Sequence, residues 1–189
     1  MVITFPKNRC IRCNVSDVSV LIDPSEGSKG NLILRTSANV LDADVPFDVI
    51  HGAGEYEVEG MVIRGIQLGK GSCDGPLVRT VYSVSMEGLQ LGFLEEVRGD
   101  LSEKILDKMG EIDVLFISVG ENYLDIKKAA SLIKQLDPRI VVPLGEKNDD
   151  ILALAETFGE KPEPIEKLVI KKRDIHAEER LKFIWLTTK

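Results

Sequence analysis

The sequence has very few of the residues that hold a transition metal through nitrogen. Its 189 residues contain only two histidines, His51 and His176, which lie far apart along the chain. Protein zinc sites need histidine, cysteine or carboxylate ligands that are held close together. No clustered set of other ligands accompanies these histidines, so the sequence excludes a histidine-based metal centre.

Long apolar stretches are absent as well. No run reaches the roughly 18 residues that a membrane-spanning helix requires. The first residues include Lys7 and Arg9 where a signal peptide has its apolar core. The chain has three cysteines, and an odd number without an export signal indicates a reducing compartment. We therefore expect a cytoplasmic protein with no membrane partner.

Positive charge is in the minority, with 24 Lys and Arg residues against 31 Asp and Glu residues and a net charge of −7. This balance repels nucleic acids unless one face concentrates the cations. The basic run at 171–173 is followed by Asp174 and is typical of a solvated strand end. We expect no nucleic-acid partner.

The composition is that of a globular protein, with 43% hydrophobic and 29% charged residues. A chain of this length buries enough apolar surface for one core, so we predict a single domain over residues 1–189. Residues 1–98 contain short apolar runs broken by glycine and Asp-Pro steps, a pattern typical of strands and turns. The sequence at 86–89 predicts a tight hairpin.

After residue 100 the pattern changes to strands that alternate with helices. Ser102 and Asp125 are positioned to cap helices, and a further helix opens at Asn148 or Asp149. Residues 112–119 and 139–144 are predicted strands, and the helix between them makes a β-α-β unit whose strands run parallel. Two last strands are predicted at 167–170 and 181–186. The fold class is therefore α/β, with two sheets packed into one core.

Cys10-Ile-Arg-Cys13 is the most conspicuous metal-like motif. With Cys73 and either histidine it could complete a zinc site, and a C-x-x-C pair can also be redox-active. A redox pair opens a helix, however, whereas a strand pattern follows Cys13. We favour two unrelated core residues, because free cysteine packs as a small hydrophobe.

The other motifs fail on spacing. Gly52-Ala-Gly54 is followed by a strand pattern where a dinucleotide site needs a helix, and residues 65–72 lack the spacing of a phosphate loop. His51, at the end of a short strand, is predicted to be a turn histidine. The acidic residues that could act in catalysis are scattered along the sequence, and a solvated face explains most of them. They are Asp23, Asp42, Glu95, Glu96, Asp100 and Glu146.

Several segments together resemble the metallo-β-lactamase superfamily, in particular its small bacterial branch related to the ascorbate-6-phosphate lactonases. Residues 20–24 (VLIDP) are similar to its ILIDP segment, and residues 52–58 (GAGEYEV) to its GPGEYEV turn. Residues 113–120 with the strand at 140–143 resemble its later β-α-β unit. The resemblance covers nearly the whole chain and implies an αββα sandwich with a two-metal hydrolytic pocket at one edge.

The residues at the matched ligand positions depart from that family. Its H-x-H-x-D-H motif is replaced by Ser37, Asn39, Leu41 and Asp42, the early histidine by Asn8, and the histidine after the last core strand by Gly145. Glu96 falls about where a bridging aspartate is expected. With His51, these positions define a candidate vestigial pocket. Its members are Asn8, Ser37, Asn39, Asp42, His51, Glu96 and Gly145.

These departures predict a non-catalytic protein that has no cofactor. Such a protein would bind a small molecule or a protein, or serve a structural role. The alternative is a hydrolase of an ester, lactone or phosphodiester that uses Mg²⁺ or Mn²⁺ held by Asp23, Asp42, Glu96 or Glu146. A homo-oligomer is compatible with the sequence, because a parallel edge strand can support one, but no residue pattern requires it.

Overall fold

The computed structural model of the chain describes residues 1–6, 10–39, 46–69, 77–175 and 180–188. They form two mixed β-sheets packed face to face, and helices cover the outer side of the larger sheet. This confirms the predicted α/β sandwich. None of the described helices is long and apolar enough to cross a membrane.

Six short strands form the first sheet. In chain order they are β1 (Val2–Thr4), β2 (Ile11–Val15), β3 (Val18–Ile22), β4 (Leu32–Leu34), β6 (Val49–Ile50) and β14 (Lys167–Val169). Their order across the sheet is β14-β1-β2-β3-β4-β6. Because β3, β4 and β6 run parallel and in register, the residues that follow them, Asp23, Arg35 and His51, lie at one edge of the sheet.

The second sheet is larger and follows the order β15-β12-β11-β10-β9-β8-β7, with β5 paired to β9. Its strands are β5 (Ser37–Asn39), β7 (Gly54–Val58), β8 (Met61–Gln67), β9 (Leu77–Met86), β10 (Leu89–Leu94), β11 (Val114–Val119), β12 (Ile140–Gly145) and β15 (Lys182–Phe183). Strands β11 and β12 are parallel, as predicted for the β-α-β unit, and β10 also runs parallel to β11. A small separate pair joins β13 (Pro164–Ile165) and β16 (Trp185–Leu186).

The predicted hairpin at 86–89 is confirmed. Glu87 and Gly88 adopt φ values of 52° and 75°, and Met86 pairs with Leu89 across a two-residue turn. Both central residues of such a turn need positive φ, which glycine adopts without strain.

Three helices pack on the outer side of the second sheet, namely α1 (Glu103–Met109), α2 (Ile126–Leu136) and α3 (Asn148–Glu156). Asp125 caps α2 as predicted, since its carboxylate accepts a hydrogen bond of 2.9 Å from the amide of Lys128. Ser102 does precede α1, but its side chain makes no capping bond among the described residues, so that detail of the prediction is wrong.

The main core lies between the sheets. Alternate residues of each strand point inward, and Phe93 and Phe116 stack there with ring centroids 4.8 Å apart. A second apolar layer joins the other face of the larger sheet to the helices. Of the described helices, α1, α2 and α3 contribute buried residues to this second layer and none to the core between the sheets.

The turn at Gly52 packs directly on β8. A Cβ atom placed on Gly65 would lie 2.4 Å from the carbonyl oxygen of Gly52, so the two backbones leave no room for a side chain. The residues after this turn form strand β7, as predicted, where a dinucleotide-binding turn would be followed by a helix.

Candidate functional site

Strands from both sheets end at one edge of the sandwich, which we call the upper edge. The chain passes from the first sheet to the second at Thr36, whose carbonyl oxygen accepts a hydrogen bond of 2.8 Å from the amide of Thr80 in β9. The buried Tyr82 joins the sheets again, because its hydroxyl donates to the carbonyl oxygen of Arg35 at 3.0 Å. Residues that follow strands of either sheet therefore meet here.

Asp23 is held at this edge by Thr36. Its Oδ1 accepts a 2.9 Å hydrogen bond from the Thr36 amide, and its Oδ2 accepts a second bond from the Thr36 hydroxyl. Burial raises the pKa of Asp23 from its ordinary 3.8 to about 6, although the bonds from Thr36 and the charge of Arg35 lower it. The negative charge of Glu96 raises it slightly further.

Arginine and glutamate side chains from the second sheet meet close by. Arg79 extends from β9, and the Nε of Arg79 lies 3.7 Å from Oε2 of Glu96, just beyond the end of β10. An Arg98 guanidinium nitrogen lies 3.9 Å from the same oxygen. The exposed fractions of these side chains are 4% for Arg79, 25% for Glu96 and 45% for Arg98. We call these three residues the arginine–glutamate cluster.

The structure brings several members of the predicted vestigial pocket to the upper edge. Ser37 in β5 stands opposite Arg79, and Asn39 stands opposite Leu77. His51 is half-buried at the end of β6, and Glu96 belongs to the arginine–glutamate cluster. Gly145 is level with Val119, two strands from Glu96. Asn8 and Asp42, like His176 and Cys73, lie outside the described residues.

The expectation that the acidic residues are scattered and mostly solvated is wrong for part of the set. Glu95 is 3% exposed, and its negative charge, like that of Asp23, raises the pKa of the buried thiol of Cys10. Asp23, Glu95 and Glu96 therefore share one edge, because the strands that precede them end together. Glu146 instead faces solvent, where its carboxylate accepts a 3.3 Å hydrogen bond from the Asn122 side chain.

Sequence reasoning missed Arg79. The signal was present, since an arginine in the otherwise apolar and hydroxyl-rich strand β9 is seldom buried without a charged partner. The antiparallel pairing of β9 with β10 provides that partner in Glu96.

The described residues do not fit a two-metal centre. No group of three or more His, Cys, Asp or Glu side chains among them is placed to hold an ion. A Cβ atom on Gly145 would lie 3.0 Å from both the Lys147 carbonyl oxygen and the Ile151 side chain, so a ligand side chain there would have to displace its neighbours. Glu96 faces arginines, and both carboxylate oxygens of Asp23 accept bonds from Thr36.

Cys10 and Cys13 are free thiols buried in the core. Burial raises the pKa of Cys10 to about 11 and that of Cys13 to about 12. Because the thiolate is the reactive and metal-binding form, both side chains have the character of inert core residues.

We expect these two thiols to be unreactive in the folded protein. In a Cys73→Ser background near pH 8, their reaction with an aromatic disulfide reagent should be at least about 100-fold slower than in guanidinium chloride, because a pKa raised by two units leaves about a hundredth of the thiolate. Absorbance of the released thiolate measures the rate. Native rates close to those of the unfolded chain would contradict inert burial.

The known proteins that resemble this chain share its fold. A family model described as a beta-lactamase superfamily domain matches residues 2–145. A Thermotoga maritima protein of the metallo-β-lactamase superfamily, provisionally named a zinc-dependent hydrolase, has a TM-score of 0.78 and 18% identity, with 98% of each chain covered.

Two further solved structures are similar. One, from Parabacteroides distasonis, is provisionally named a metal-dependent hydrolase and has a TM-score of 0.60 and 18% identity over 84% of this chain and 88% of that one. The metallo-β-lactamase fold protein YhfI of Bacillus subtilis has a TM-score of 0.61 and 8% identity over 82% and 91%. No curated protein matches the sequence. At these identities the likeness establishes the fold alone.

Proposed function

We propose that this chain, which belongs to the beta-lactamase superfamily, is a non-catalytic member that acts by binding a small molecule or a protein. The observation that carries this proposal is the arginine–glutamate cluster at the upper edge. There the carboxylate of Glu96 faces two guanidinium groups.

Charge balance supports the proposal. Among the described residues close to Glu96, the carboxylates of Asp23, Glu95 and Glu96 are accompanied by the guanidinium groups of Arg35, Arg79 and Arg98. The charges of these six side chains compensate one another. A divalent ion approaching Glu96 would be repelled by both arginines and would have to displace the buried Arg79 from its pair.

The alternative, a hydrolase with a carboxylate-held Mg²⁺ or Mn²⁺, has less support. Such ions need about six oxygen ligands around one point. Of the residues proposed for it, Glu146 contacts Asn122 and Asp23 is engaged by Thr36, while Asp42 lies outside the described residues. No contact among the described residues favours this alternative.

The proposal predicts that the purified, untagged protein takes up no stoichiometric metal. Titration calorimetry with Zn²⁺, Mg²⁺ and Mn²⁺ should give no saturable binding at micromolar concentrations, and metal analysis should find well under one ion per chain, because the edge supplies its own positive charge. A model lactone and a model phosphodiester should be hydrolysed no faster than in buffer, with or without added Mn²⁺.

One or two tightly held ions per chain, or metal-dependent turnover, would overturn the proposal. The Cys73→Ser variant should be titrated in parallel to show whether a thiol takes part in any binding. Stoichiometric uptake of Zn²⁺ by the original protein would count against the proposal whether or not it depends on Cys73.

A further inference from the structure

The lateral side of the sandwich has a groove between the two sheets, remote from the upper edge. Its floor is formed by the inward-facing side chains of Ile140, Leu168, Ile170 and Ile184. Ile140 begins the strand that ends at Gly145, so the groove lies roughly 17 Å from the upper edge. Its volume is about 150 Å³. A cavity of about this size accommodates a benzene-sized apolar group.

Cationic side chains surround the mouth of this groove. Arg139, Arg180 and Lys182 line it. Among the described residues, Asp174 is the one acidic residue that lines it. Asp174 is already engaged, since its Oδ2 accepts a 2.9 Å bond from the Lys171 amide and its Oδ1 lies 3.8 Å from Nε of Arg173. The described residues at the mouth therefore carry a net positive charge over an apolar floor.

The strand register aims Lys182 into the groove. Lys182 pairs with Ile140 in parallel register, so both side chains point toward the first sheet, whereas Phe183 points toward the helices. Among the described residues, the ion pair given for Arg139 is with Asp137, at 4.0 Å and with 81% of that side chain exposed, and such a pair contributes little. Both cations can therefore turn to an incoming anion at little cost.

We propose that this groove is a binding site for a small amphipathic carboxylate, with an aryl or short acyl group on the floor and the carboxylate at the mouth. The apolar part gains by leaving water, and the negative charge is drawn to the cations at the mouth. The groove is separate from the arginine–glutamate cluster, so its test does not depend on whether the upper edge holds a metal.

A titration with 3-phenylpropionate tests this site in the intact protein. Amide chemical shifts of Ile140, Leu168 and Ile184 should change in a saturable way as the probe is raised to about 10 mM at neutral pH. The uncharged analogue 3-phenylpropanol should bind at least about fivefold more weakly, because it gains nothing from the cations.

Exposed lysines on two edge strands provide matched variants. Lys182→Gln should weaken binding of 3-phenylpropionate about fivefold. Lys167→Gln should leave it within about twofold, since Lys167 pairs with Thr4 and points away from the core while its neighbour Leu168 points inward. The proposal would be overturned by unchanged shifts, by shifts centred on the upper edge, by equal binding of acid and alcohol, or by equal effects of the two variants.

Discussion

Replacing Arg79 with methionine is expected to lower the free energy of unfolding by about 3–5 kcal/mol, the range seen when one member of a buried ion pair is removed. Arg79 is 4% exposed and faces Glu96 at 3.7 Å. Without it, Glu96 would lie near the carboxylates of Asp23 and Glu95 with much less compensating charge. Urea denaturation monitored by circular dichroism measures the loss.

Arg98→Gln is the matched control, because Arg98 approaches the same Glu96 oxygen at 3.9 Å but is 45% exposed. Its removal should cost less than about 1 kcal/mol, as for exposed ion pairs. Adding Glu96→Gln to Arg79→Met should recover part of the loss, since the double variant no longer leaves a carboxylate without its partner. Equal costs for the two arginines would show that burial does not set the strength of the arginine–glutamate cluster.

Replacing Asp23 with asparagine is expected to change how stability depends on pH. The pKa of Asp23 is about 6 in the folded chain, whereas an aspartate in an unfolded chain titrates near 3.9. Between these values the folded protein keeps a proton that the unfolded chain has lost. The contribution of Asp23 to stability is therefore greatest below about pH 4 and declines as the pH rises to about 6.

Asparagine stays neutral and has nearly the same shape, so it removes this decline. The stability of Asp23→Asn minus that of the original protein should rise by about 2 kcal/mol when the pH is raised from 4 to 7.5. Urea denaturation at each pH measures this difference. Asp17→Asn removes one charge from an exposed turn and should shift the difference by less than about 0.5 kcal/mol. A difference for Asp23→Asn that stays flat with pH would contradict the raised pKa.

The second half of the fold was the more predictable part of the chain. Apolar residues three and four positions apart fixed the buried face of α2, and Asp125 supplied a cap whose hydrogen bond depends only on local geometry. The parallel strands β11 and β12 followed from that helix, because a crossover between them requires it. The unused Ser102 cap marks the limit of such local rules, which give the position of a helix end but not the orientation of one hydroxyl.

The upper edge was predictable only in part. Ser37, His51 and Glu96 could be placed there from the resemblance, since each follows or belongs to a strand in a known order. Arg79 could not, because its role arises from the pairing of β9 with β10, which sets it beside Glu96. The burial of Glu95 and the partial burial of Asp23 likewise come from tertiary packing, and their sequence neighbours give no sign of it.

The contact between Gly52 and Gly65 bears on how sequence patterns of this family should be interpreted. The segment at 52–58 carries much of the resemblance, yet the carbonyl oxygen of Gly52 stands where a side chain on Gly65 would begin. The glycine that this close backbone contact requires is Gly65 on β8, on which the turn packs whether or not any reaction takes place nearby. A search pattern built on this turn detects a way of folding, and a chain that scores well on it has still to be tested for turnover.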